Sequence, residues 1–197
     1  MPDELRSSRE PASTPVVPST SGVSVLDVLH ATEEIVGRDV FERARKQLPA
    51  QLQEELASIT AVTWVPNTVL TEVLREAARA AGMDTEDLAA KAIRGATART
   101  FSTVWRALLR FTTDEALIKR APLIYARSRN CGKLSARIVS PGVAEVLLTE
   151  YPSPTPPEIR SLGVGIQCVL EFAGRQDVQV SSERKPDGGR FVFRWRR

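Results

Sequence analysis

Few residues in this chain could do chemistry, and their spacing suits it poorly. The one histidine, His30, stands in a short amphipathic segment beside Leu29. A single imidazole excludes a metal cluster built on histidines and leaves a Ser-His-Asp triad without support. Cys131 and Cys168 are the only cysteines. They form no CxxC pair and have no histidine nearby, so they suit neither a zinc site nor a disulfide framework, and reduced thiols are expected. No P-loop, HExxH or nucleophile elbow occurs. Gly163-Val164-Gly165 matches part of a dinucleotide fingerprint but falls inside a helical pattern with no strand before it. Asp84, Glu86 and Asp87 read as first-turn acids that favour a helix dipole. The expectation is no enzyme, no catalytic residue, no metal and no cofactor.

Binding chemistry is the other possibility. The net charge is only +3, and the one concentrated positive patch is Arg190, Arg194, Arg196 and Arg197 at the C-terminal end. An arginine-covered strand face most often serves solvation and edge protection, so nucleic-acid binding ranks as a weak third reading. Phe101, Trp105, Phe111 and Tyr125 are the densest aromatic set. Gly163 leaves space on the apolar face of another helix, with Ile166 and Cys168 beside it. Phe101, Trp105, Tyr125, Gly163, Ile166 and Cys168 are therefore candidate lining residues of an apolar pocket, with Tyr125 as its polar handle. The same residues also read as a filled core.

These groups must be held by helices first and a sheet last. Residues 1–22 are rich in Pro, Ser, Thr and charge, and are expected to be a disordered tail before a single domain over 23–197. Three short helical pieces follow, with Val25, Val28, Leu29, Phe41, Leu52 and Leu56 on their apolar faces. Those six are candidate interface residues, for the chain's own core or for a second copy. Trp64-Val65-Pro66-Asn67 reads as a break, with Asn67 capping the next helix. A long helix is expected from Asp84 to about Arg110, then one capped by Thr112 and Glu115 and containing Pro122. From Lys133 the period changes. Leu134, Ala136 and Ile138 alternate with polar residues, and Phe191, Phe193 and Trp195 alternate with arginines, as in half-buried strands. Ser140-Pro141-Gly142 and Pro186-Asp187-Gly188-Gly189 supply hairpin turns. Between the hairpins, Ile159, Leu162, Gly163, Ile166, Leu170 and Ala173 share one helical face. The predicted fold is α+β: an N-terminal helical layer, then a ββαββ unit with a four-stranded antiparallel sheet. At 42% hydrophobic and 26% charged, with no apolar run near the ~20 residues of a membrane span, the composition is that of a soluble domain. A cytoplasmic location is the default, since the N-terminus lacks a signal-peptide layout.

Several segments together resemble a known pattern. They are Trp64-Val65-Pro66, Val104 to Arg110, Arg120-Ala121-Pro122-Leu123, Cys131-Gly132-Lys133-Leu134, Gly163 to Gly174 and Phe191 to Trp195. They are similar to an uncharacterised family of paralogues found mainly in myxobacteria, over residues 23–196. The element order also resembles a wider superfamily: haem–nitric-oxide-binding domains, vinyl-4-reductase-type regulatory domains and the Bet-type subunits of TRAPP tethering complexes. That resemblance implies an apolar effector, an acyl chain, haem, or a role as dimeric adaptor. This sequence departs from the haem branch, having no histidine after residue 30. Tyr125-Ala126-Arg127-Ser128-Arg129 also puts serine one position late for that branch's Y-x-S-x-R pattern.

The leading expectation is a non-enzymatic signalling or regulatory module that binds a small apolar ligand, a protein partner, or both. The alternative is a structural dimeric adaptor, pairing through Val25–Ile59, with a filled core.

Overall fold

The computed structural model describes residues 16–101 and 109–196. Helices come first, as the sequence predicts. They are α1 (Gly22–Val36), α2 (Arg38–Gln47), α3 (Ala50–Ala57), α4 (Asn67–Ala81) and α5 (Thr85–Thr100). After α6 (Asp114–Ser128) the chain makes β3 (Lys133–Ser140) and β4 (Val143–Thr149), then α7 (Pro156–Phe172), then β5 (Gln176–Lys185) and β6 (Gly188–Arg196). The four strands form one antiparallel sheet in the order β3-β4-β6-β5. The α+β architecture is the one expected.

Alternation in β6 works as its sequence implies. Phe191, Phe193 and Trp195 are buried, while Arg190, Arg194 and Arg196 face out. Phe191 pairs with Val146 on β4 and Ser182 on β5, and Phe193 with Ala144 and Val180. Helix α7 covers this inner face with Ile159 and Leu170. Its start is fixed by a capping box: the Thr155 hydroxyl accepts from the Glu158 N–H, and the Glu158 carboxylate accepts from the Thr155 N–H.

The tail boundary differs from expectation. Residues 1–15 lie outside the described residues, but Ser19–Ser21 form a short strand, β1, that is buried and pairs with β2 (Trp64–Pro66). The reason is polar and local. The Asn130 side chain accepts from the Ser19 N–H at 2.8 Å and donates to the Val17 carbonyl at 2.9 Å. The Asn67 N–H donates to Pro18. Composition alone does not register such backbone pairing. Two caps also move. Thr113, not Thr112, caps α6 by accepting from the Ala116 N–H. Asn67 caps nothing, because its side chain is drawn away to the sheet layer.

Apolar side chains gather in three clusters. One lies between the sheet, α6 and α7. A second lies among α1–α4 with Val25, Phe41, Leu48 and Val73. A third, of small residues, joins α1 and α4 to α5. There the helices approach closely: a Cβ on Gly95 would come within 2.9 Å of the Ala31 Cβ. No described helix is long and apolar enough to cross a membrane.

Candidate functional site

Of the residues proposed for an apolar pocket, the five that are described lie on or beside α5, α6 and α7, and none lines either of the two clefts described below. Gly163 rests on the sheet, where an added Cβ would find Phe191 and Val180 at 3.6 Å, ordinary contact distance. Gly165, on the other side of α7, faces Ile93 of α5. Arg94 of α5 reaches Glu171 of α7 at 2.5 Å, further along the same contact. Phe101 and Ile166 are partly buried against the sheet cluster. Cys168 is buried, and burial pushes its thiol up to about 11. Tyr125 is buried, and its hydroxyl donates to the Cys131 carbonyl at 2.8 Å, so the proposed handle is already engaged. Trp105 falls in 102–108, outside the described residues.

The predicted interface residues split. Val25 and Val28 are buried within the chain's own helical core, and Leu52 packs against it partly buried and away from the groove lining. Leu29, Phe41 and Leu56 come together. With Leu26 they floor an open groove of about 460 Å³ between α1, α2 and α3, walled by Asp27, His30, Glu33 and Arg45. The groove arises because α2 and α3 are short and only one stripe of each reaches the core: Phe41 and Ala44 on α2, Leu56 on α3. A larger open cleft of about 910 Å³ runs beside Arg110–Glu115 and Ala173–Gln176. Its polar wall is closed in on itself. Arg175 donates to Asp114 at 2.7 and 2.9 Å and to the Thr112 carbonyl at 2.7 Å, with both side chains nearly inaccessible.

A polar seam that sequence reasoning missed joins the two layers. The Arg129 guanidinium donates to the Thr20 hydroxyl at 2.6 Å, and that hydroxyl donates to Asn67 at 2.7 Å. The Asn67 amide donates to the Tyr151 hydroxyl and to Glu158, both at 2.8 Å, and Tyr151 donates to Glu158 at 2.6 Å. Burial pulls the Glu158 carboxyl up, but hydrogen bonds from Tyr151, Thr155 and Asn67 outweigh it and hold the group below the ordinary carboxylate range. Gly132 makes room for this seam. Its φ is +78°, and a Cβ there would strike the Tyr125 hydroxyl at 2.8 Å and Leu148 at 2.9 Å. The only forward signal was a set of polar residues far apart in sequence, which no local pattern links.

Among solved structures the chain is similar to an H-NOX protein from S. oneidensis in the Fe(II)NO state, with TM-score 0.66 and 9% identity. That match covers 90% of this chain and 99% of the other. The Fe(II) unliganded H-NOX protein from K. algicida gives TM-score 0.65 at 10% identity, covering 90% and 97%. An oxygen-binding H-NOX domain related to soluble guanylate cyclases gives 0.62 at 12%, covering 90% and 95%. The fold is that of the H-NOX domains. No protein-family model and no curated protein matches the chain.

The H-NOX-type likeness invites a test for haem iron. His30, the sole histidine, sits half-exposed on α1, 3.9 Å from Glu34, and walls the α1–α3 groove. Burial raises both cysteine thiols, which keeps them protonated and poor as thiolate ligands. Among the described residues no three His, Cys, Asp or Glu side chains group to hold a metal. Tyr125 and Arg129 are engaged as above, and the Ser128 hydroxyl turns back to the Tyr125 carbonyl. The residues present do not fit an iron site of the H-NOX kind.

The arginine strand is partly neutralised, and Arg197 lies outside the described residues. Arg190 and Arg137 clamp Glu145 across the outer face, holding its carboxyl below the usual range, and Arg196 pairs with Asp177.

Proposed function

We propose that this chain is a non-enzymatic signalling or regulatory module that reads a small apolar ligand, a protein partner, or both, through the α1–α3 groove. The observation that carries the reading is the groove itself: an apolar floor of Leu26, Leu29, Phe41 and Leu56, left open between α1, α2 and α3. The H-NOX-type fold supports it, since one of the similar structures is an oxygen complex and is related to soluble guanylate cyclases. The sole histidine, His30, sits exposed on α1 beside Glu34, which supports a role other than haem chemistry. Kinship with the myxobacterial paralogues, a cytoplasmic location and one domain running from β1 onward belong to the same proposal.

A second reading has its own support. The closed contact of α7 on the sheet suits an adaptor with a filled core. Nucleic-acid binding has little, because Arg190 and Arg196 already face carboxylates. Titration with the neutral fluorophore N-phenyl-1-naphthylamine separates the first two. The module reading expects saturable fluorescence enhancement that competes with an apolar ligand. A flat titration, together with no binding of a partner peptide at the groove, would leave the adaptor.

A further inference from the structure

The groove does not end at its own walls. Leu26 stands at its edge, and Val23 lies one turn earlier on α1, 51% exposed. Val62 and Trp64 flank Thr63, whose carbonyl accepts from the Gly22 N–H at 2.7 Å, so they border the same helix start. Val62 is 89% exposed and Trp64 49%. Single exposed apolar residues are ordinary, but Val23 and Leu26, one turn apart on α1, continue the apolar lining of the groove along the helix.

Charge says what the surface fits. The whole chain carries +3, yet residues 22–57 hold seven acidic and four basic side chains. At the groove, Arg45 is the only Lys or Arg, and Glu42 lies 3.0 Å from it. Among the described residues Asp27 accepts only a hydroxyl, from Thr100, and Glu33 has no ion pair. An anionic ligand would meet these carboxylates. A second copy docked two-fold on α1 would set Asp27 and Glu33 against their own kind. An open trough takes a small apolar guest, but a helix lying along it covers more of its floor.

We infer that the occupant is an amphipathic helix of a partner protein. Its Leu, Ile or Phe side chains enter between Leu26, Leu29 and Phe41, and its Lys or Arg side chains flank them at Asp27 and Glu33. This rests on the regulatory-module reading and names the partner class of that same groove.

The test uses the full chain, a fluorescein-labelled Leu/Lys amphipathic helix and its Leu/Glu counterpart. Saturable anisotropy is expected with Leu/Lys and none with Leu/Glu. Leu26→Gln should weaken Leu/Lys binding about tenfold, with an unchanged melting curve certifying the fold. Asp27→Asn with Glu33→Gln should weaken it about tenfold and flatten its salt dependence. Equal binding of the two peptides, or parent-like binding by the double variant, overturns the inference. The neutral dye separates the two levels. Dye bound and displaced by Leu/Lys supports both, and dye bound but not displaced overturns the helix partner alone. No uptake of dye or peptide overturns the module reading as well. A dimer in native mass spectrometry that Leu26→Gln dissolves would assign the groove to a second copy and overturn the helix partner.

Discussion

The inner face of the sheet and the α1–α3 groove are built from the same kinds of residue, and one is closed while the other is open. Under α7, Phe191 and Phe193 are fully buried, with ring centroids 6.3 Å apart, and Gly163 lets the helix settle onto Phe191. At the groove, Leu26 keeps 39% of its surface although it belongs to the same sort of amphipathic stripe. Helical spacing says that a face will be covered. It does not say whether the chain itself does the covering.

The largest expected effect tests the closed side. Phe193→Ala should cost about 3–5 kcal/mol, because a fully buried ring leaves a cavity, whereas Leu26→Ala should stay within about 1 kcal/mol at a half-exposed position. Urea denaturation midpoints measure both. Comparable losses at the two positions would erase the distinction between the regions.

Asp114→Asn comes next. It leaves the inaccessible Arg175 guanidinium without its carboxylate and should cost roughly 3 kcal/mol, in the range for breaking a buried pair from one side. An unchanged melting temperature would mean that water reaches Arg175 through the adjoining cleft.

A smaller effect concerns acid sensitivity at the seam. The folded-state pKa of Glu158 is depressed, so its contribution to stability is present above the ordinary carboxylate range and is lost as pH falls through the folded value. Glu158→Gln should therefore melt lower than the parent at neutral pH and converge with it in acid. A gap that stays constant with pH would remove the seam's electrostatic role.

Smallest of all, Gly163→Ala should stabilise by about 0.5–1 kcal/mol, since its Cβ meets only ordinary contacts and α7 gains helix propensity. A loss instead would show that α7 sits tighter on the sheet than 3.6 Å implies.

The strands, their hairpins and the apolar face of α7 were legible because each rests on a local period: Phe191, Phe193 and Trp195 at two, Ile159, Leu162, Ile166 and Leu170 near three and a half. Asp84 reads as a first-turn acid beside Glu86 and Asp87, but it sits one place earlier and caps α5, accepting from the Glu86 and Asp87 N–H groups. The seam was not legible. Thr20, Asn67, Arg129 and Glu158 meet across spans that no short-range pattern encodes, and Asn67 looked like a cap because asparagine usually is one there. The two sets of candidate residues sit in different surroundings. Gly163 suggested space, but the Phe191 ring and Val180 already border it. Leu29, Phe41 and Leu56 suggested an interface, and they do gather at an open face, while Val25 and Val28 from the same stripe turn inward.

Backbone amide shift mapping with N-phenyl-1-naphthylamine reports where an apolar guest lands. Perturbed amides are expected along Leu26–Glu33 of α1 and around Phe41 and Leu56, with the α7–sheet contact silent. Perturbations centred on Phe101, Tyr125, Gly163, Ile166 and Cys168, with α1–α3 silent, would contradict the groove as the binding site and return the pocket to the place the sequence first suggested.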